Sequence, residues 1–181
     1  TKNDVVAIVA QHFDAALASS ADGLWFEVHP ENYLVAGGPR LAWLDAIRAR
    51  HPAFVLVPQF PVRRANYDDP ATPRVAITTP ALAAALELVD AVIAQQPVDR
   101  MRVYASGFSM GGSATWLSLL ARPELFAAAV PISGIAPERL RADELKRIPI
   151  LVLHGDADTE NPIDSDRAMV SAIHAAGGRQ I

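Results

Sequence analysis

The sequence predicts an α/β fold with a mainly parallel sheet. From residue 54 onward, short apolar runs alternate with stretches of helical pattern, the signature of strand–helix repeats. The runs at 54–57 and 150–153 are wholly apolar rather than alternating, which suits strands buried on both faces. Between them lies Met101-Arg-Val-Tyr-Ala-Ser-Gly107-Phe-Ser109-Met-Gly111-Gly112, an apolar run, a glycine-flanked serine, and then a helix-patterned stretch to Ala121.

In chain order, Val5, Val6, Ile8, Val9, Phe13 and Leu17 predict an amphipathic helix over 4–18, capped by Asn3 or Asp4. Leu24 to Val28 reads as a strand ending at His29-Pro30. Gly37-Gly38-Pro39 is a turn, and 40–50 a second helix with Leu41, Leu44 and Ile47 on one face. Phe54 to Val57 is a strand stopped by Pro58. Residues 58–79, with Pro58, Pro61, Pro70, Pro73 and mixed charges, form a long loop, and loops of that length in compact domains are usually functional or disordered. Pro80 opens a helix over 80–95. Strands follow near 101–105, 127–132 and 150–153, with a charged helix over 137–147 and a last helix over 165–176 ended by Gly177-Gly178.

Composition narrows the function. At 181 residues the chain can bury one sizeable core. A net charge of −4 with dispersed Lys and Arg argues against nucleic acid and an anionic membrane surface. No apolar stretch reaches the ~20 residues needed to span a bilayer, so the chain reads as soluble. Cysteine is absent, which removes disulfides and thiolate metal sites and leaves the compartment open. No signal-peptide pattern follows Thr1.

The chemistry-bearing stretch is Gly107-x-Ser109-x-Gly111 between a strand and a helix, the context a nucleophile elbow requires. Such a turn forces Ser109 into a strained backbone and lifts its Oγ above the sheet edge. The Met110 N–H then sits at a helix N-terminus, facing an incoming oxyanion. A second motif, His154-Gly-Asp156-Ala-Asp158-Thr-Glu-Asn-Pro162, follows the last strand on the same rim. Asp158, 49 residues after Ser109, fits the order serine, acid, histidine. Asp156 competes for the role, or hydrogen-bonds its own turn. His154, beside the strand end, reads as structural.

Residues from about 51 to 181 resemble the serine esterase branch of the α/β-hydrolase superfamily, which includes polyhydroxybutyrate-depolymerase-like, feruloyl-esterase-like and phospholipase/carboxylesterase-like enzymes. The resemblance rests on His51 to Gln59, Val103 to Gly112, Pro123 to Gly134, and Leu153 to Asp158 with Pro162. It implies a three-layer α/β-hydrolase-type sandwich, Ser109 as nucleophile, Asp158 as triad acid, Met110 as an oxyanion donor, no cofactor, and a small-molecule or polymer-linked ester as substrate. It also implies a histidine after one further strand. The chain as given ends at Ile181, where that strand would begin, so the expected fold is truncated. His174 alone follows Asp158, inside a predicted helix, and reads as a helix-surface residue. The family's upstream His-Gly loop, source of the other oxyanion N–H, has no counterpart before residue 51. Loss of one such donor costs on the order of 3–4 kcal/mol in the transition state.

Residues 1–50 look unrelated. Trp25 to Tyr33 with Gly37-Gly38-Pro39 is similar to the start of the multinuclear non-haem iron oxidase-like TIM-barrel family, which would point to Glu27 as an iron ligand, with His29 and Glu31 on alternate positions of the same strand. The expectation is therefore a chimeric chain joined near 48–53, with the hydrolase core over 51–181. The alternatives are an inactive hydrolase-fold module with a structural or interaction role, and an iron-binding remnant. An unpaired sheet edge left by a missing strand would invite a homo-oligomer.

Overall fold

The computed structural model of the protein describes residues 49, 54–58, 80–137 and 141–178. Two compact units divide the chain, Thr1–Val57 and Pro58–Ile181. The expected helices at 4–18 and 40–50, the strand at 24–28 and the loop at 58–79 lie outside the described residues, save Ala49 and Pro58. In the first unit, residues 54–57 form no strand, and Phe54, Val55, Leu56 and Val57 are all exposed. This corrects the buried strand expected there. A wholly apolar run supplies β-propensity, but a strand exists only where a neighbouring backbone completes its ladder.

The second unit is built around three parallel segments and the helices packed against them. Helix α1 spans Pro80–Gln95, its proline at the first position, where no intrahelical N–H bond is lost. Leu82 and Leu86 bury one turn apart and pack on Leu117. Asp99 then caps a short 3-10 turn at Arg100–Arg102, accepting from the Met101 N–H at 2.9 Å and from Arg102 Nε at 2.8 Å. That turn displaces the expected strand from 101–105 to β1, Tyr104–Phe108, which runs directly into the serine. Helix α2 spans Met110–Ala121, and β2 spans Ala128–Ile132.

Strands β1 and β2 pair in parallel, with Tyr104 opposite Ala128 and Phe108 opposite Ile132. The segment 150–153 continues the sheet beyond β2, Ala129 opposite Ile150 and Ile132 opposite Leu153. Its ladder is two separate bridges rather than a continuous strand. Ala129 N donates to Pro149 O, and Leu151 and Leu153 N donate to Ala129 and Pro131 O, but Pro131 has no N–H to donate in return. One proline thus explains the broken third strand.

Helix α2 is buried almost all round, as expected of a helix laid on a sheet and covered by others. Trp116, Leu119 and Leu120 meet Ala129, Leu145, Ile148, Ile150, Met169 and Ile173 in one core. Of the helix expected over 137–147, residues 138–140 lie outside the described residues, and the described part contains the single turn α3, Ala142–Leu145. Ile135 N donates to Ser113 Oγ and Ala136 N to Ser165 Oγ. Helix α4 spans Asp164–Ala175 and ends as expected, Gly177 taking φ 93°. No helix among the described residues is long and apolar enough to cross a membrane.

Candidate active site

Ser109 follows β1 and precedes the first residue of α2, with φ 55° and ψ −113°, a region few non-glycine residues occupy. Strain of this kind costs on the order of 1–3 kcal/mol and persists only where the surroundings over-determine it. Here they do. The Ser109 N–H donates to Ile132 O at 2.8 Å, and its carbonyl accepts from the Ser113 N–H at 3.1 Å, fixing both sides of the turn.

The glycines around it divide their work differently from the simple motif reading. A Cβ on Gly107 would lie 2.5 Å from the Gly111 carbonyl, so Gly107 is sterically required. At Gly111 a Cβ would meet nothing within 4 Å. The second close approach belongs to Gly112, whose Cβ would lie 2.5 Å from Ile132 O, and to Gly134 facing it. These contacts let α2 sit against the end of β2.

Met110 is the first residue of α2, and its N–H has no partner four residues back within the helix. It is the backbone donor nearest in sequence to Ser109, on the side where the helix dipole is positive.

The acid loop follows the segment 150–153. Asp158 is half-buried, and Oδ1 accepts from the N–H groups of Glu160 and Asn161, both at 2.9 Å. Asp156 is exposed. The turn-bonding role weighed for Asp156 is thus filled by Asp158, whose second oxygen stands 3.5 Å from His154 Nε2. Ser109 and Asp158 are brought together by one residue. Asn161 donates its backbone N–H to Asp158 and its side-chain Nδ2 towards Ser109 Oγ, at 3.5 Å.

His154 is structural, as expected from its place beside the strand end. Its side chain is 2% exposed, Nδ1 lies 2.8 Å from Asp166 Oδ2, and Nε2 donates to Asn161 O at 2.7 Å. Asp166 Oδ1 accepts from Trp116 Nε1 at 2.9 Å. Burial is the largest influence on His154 and pulls its pKa down, but the bonds to Asp166 and Asn161 outweigh it and leave the imidazole above its ordinary value. Burial likewise raises the Asp166 carboxyl, against the opposing pull of His154. Nε2 faces a carbonyl and must carry a hydrogen, so the Nδ1–Asp166 contact holds one further proton between two buried groups.

Trp116 is fully buried and belongs to the core. His174 is exposed in the last turn of α4, the surface position expected of it. Glu27, His29 and Glu31 lie outside the described residues, and among those described no cluster of three or more metal-ligating side chains occurs. Sequence reasoning missed Asn161 and Asp166. No local sequence signal points to Asn161, whose contact with Ser109 spans 52 residues. For Asp166 the signal was an acid on the inward face of an otherwise polar first turn.

The parallel segments, the strained serine between β1 and α2, and an acid loop beyond 150–153 define an α/β-hydrolase-type fold. The model of the prolyl oligopeptidase family matches residues 82–144. Among solved structures, a thermostable esterase is 32% identical over 61% of this chain and 28% of its own, with a TM-score of 0.53. Arabidopsis thaliana SOBER1 is 23% identical over 65% of this chain and 66% of its own, with a TM-score of 0.47. A different set of relatives also matches. A UPF0276 protein of a Caulobacter species is 64% identical over 45 residues, and one of Caulobacter vibrioides is 62% identical over 47. The chain spans 16–17% of the length of these curated relatives and 28% of that of the thermostable esterase.

Proposed function

We propose that the chain carries the nucleophile half of a serine-dependent carboxylic ester hydrolase. The observation that supports this best is the backbone of Ser109, held at φ 55° by bonds and close glycine packing when any unstrained turn would join β1 to α2. In the reaction, Ser109 Oγ attacks the ester carbonyl, the Met110 N–H stabilises the oxyanion, and Asp158 orients a histidine that takes the hydroxyl proton and returns it to the leaving alcohol. The neighbouring thermostable esterase supports ester over amide as substrate. The substrate is a small or polymer-linked ester, and no cofactor takes part.

Short-chain p-nitrophenyl esters test this. The purified chain is expected to release p-nitrophenol with saturation kinetics, and Ser109→Ala to lose that activity by at least about 10³-fold. Equal rates in both proteins would refute the reading.

A second reading has its own support. Among the described residues no histidine contacts Ser109, His154 being buried against Asp166 and His174 exposed on α4. The base must then come from residues outside those described or from another chain, or the domain is an inactive scaffold. A well-folded chain inert towards every ester favours the scaffold. A joined origin, with 1–50 distinct from 51–181, is part of this reading; amplifying the reading frame across 48–53 from genomic DNA tests it. Iron on Glu27 is checked by metal analysis of the purified chain, and absence of iron after expression in iron-replete medium removes that reading.

A further inference from the structure

We infer that Asn161 is a positioning residue for the nucleophile, its side-chain amide donating to Ser109 Oγ; this rests on the reading of Ser109 as a nucleophile. Asn161 is 2% exposed, and its polar groups tie the whole site together. Nδ2 donates to Ser133 O at 2.8 Å, and because a carbonyl only accepts, that bond fixes which end of the amide is nitrogen. The remaining hydrogen on Nδ2 then faces Ser109 Oγ at 3.5 Å, a long contact of the kind that tightens when substrate binds. The backbone of the same residue donates to Asp158 Oδ1 and accepts from His154 Nε2. Ser133, at φ 45°, turns its carbonyl to the amide from the end of β2.

The consequence is chemical. An amide donor on one lone pair of Oγ directs the hydroxyl hydrogen away from Asn161, towards the place a base would occupy. It also stabilises negative charge on Oγ as the proton leaves. Asn161 has no proton-accepting nitrogen at neutral pH, so it orients the serine and does not replace the histidine. An architectural role alone is fulfilled by the bond to Ser133, and under it the reactivity of Ser109 would be indifferent to the second N–H.

The test is the rate at which a fluorophosphonate labels Ser109. The Oγ–P bond forms, the P–F bond breaks, fluoride departs, and the hydroxyl proton passes to a base or to solvent hydroxide. Rates are compared for the native chain, Asn161→Leu and Asn161→Asp between about pH 5 and about pH 8, alongside thermal melts. Asn161→Leu is expected to label at least about tenfold more slowly with its melting transition retained. In Asn161→Asp only the protonated carboxyl can donate, so its rate relative to native is expected to fall about tenfold as pH rises. The ionisable groups that face this position are His154 and Asp158, with Asp166 behind His154; they are present in both proteins, and Asn161→Leu, which adds no charge beside them, controls for their part in the profile. If the native chain labels and both variants match it within about twofold at every pH, the inference is overturned and the serine reading stands. If Asn161→Leu fails to fold, a flat Asn161→Asp ratio overturns the inference equally. If folded native protein does not label at Ser109, the serine reading and the inference fall together.

Discussion

At the scale of single residues, the site stores strain at Ser109 and a shared proton at His154 and Asp166. Ser109→Gly relieves the positive φ, so it is expected to raise stability by about 1 kcal/mol while removing the nucleophile. A shift in the urea midpoint reads this directly, and a destabilised variant would mean that the Oγ contact with Asn161 outweighs the backbone strain. The His154–Asp166 pair has a defined sign. Both groups sit above their ordinary values in the folded chain, so the folded state binds more protons than the unfolded one. The contribution of His154 is fully present below about pH 6.5, its unfolded value, and is lost as pH rises through the folded value. The urea midpoint is therefore expected to fall as pH rises above about 6.5, and Asp166→Asn to flatten that slope. A slope unchanged in Asp166→Asn would assign the titration to another group.

At the scale of elements, close approach between α2 and the strand ends sets what the sequence tolerates. Gly112→Ala places a Cβ 2.5 Å from Ile132 O and is expected to cost several kcal/mol, whereas Gly111→Ala meets open space and is expected to leave the melting temperature within a few degrees. Equal losses at both positions would show that the motif glycines act through chain entropy instead. Helix α1 was legible to the residue, and α2, β2 and α4 nearly so, because a capping proline, the apolar runs and the terminal Gly177 are local signals. What escaped was non-local. The capping of Arg100–Arg102 by Asp99 moved β1 by three residues, and the missing N–H of Pro131 broke the third ladder. The site divides the same way. Ser109 and Met110 follow from a contiguous motif. Asn161 depends on a loop folding back across 52 residues to reach Ser109, which no local pattern encodes.

At the scale of the whole molecule, the described part of the sheet ends at segment 150–153. Among the described residues, segment 150–153 pairs only with β2, and Leu151 and Leu153 are 52% and 40% exposed. An edge of this kind is a template for pairing, so the homo-oligomer expected from the sequence should appear as a mass that rises with concentration in sedimentation, and Leu151→Lys should weaken it. A single monomeric species at all concentrations would count against it. The central claim is that Ser109 is a nucleophile, and peptide mass spectrometry after fluorophosphonate treatment tests it most directly, with Ser109→Ala as control. The account predicts one adduct, on Ser109, formed in minutes and absent from the control. Folded protein that carries no adduct, or carries it equally in Ser109→Ala, would contradict the account and leave the elbow as architecture alone.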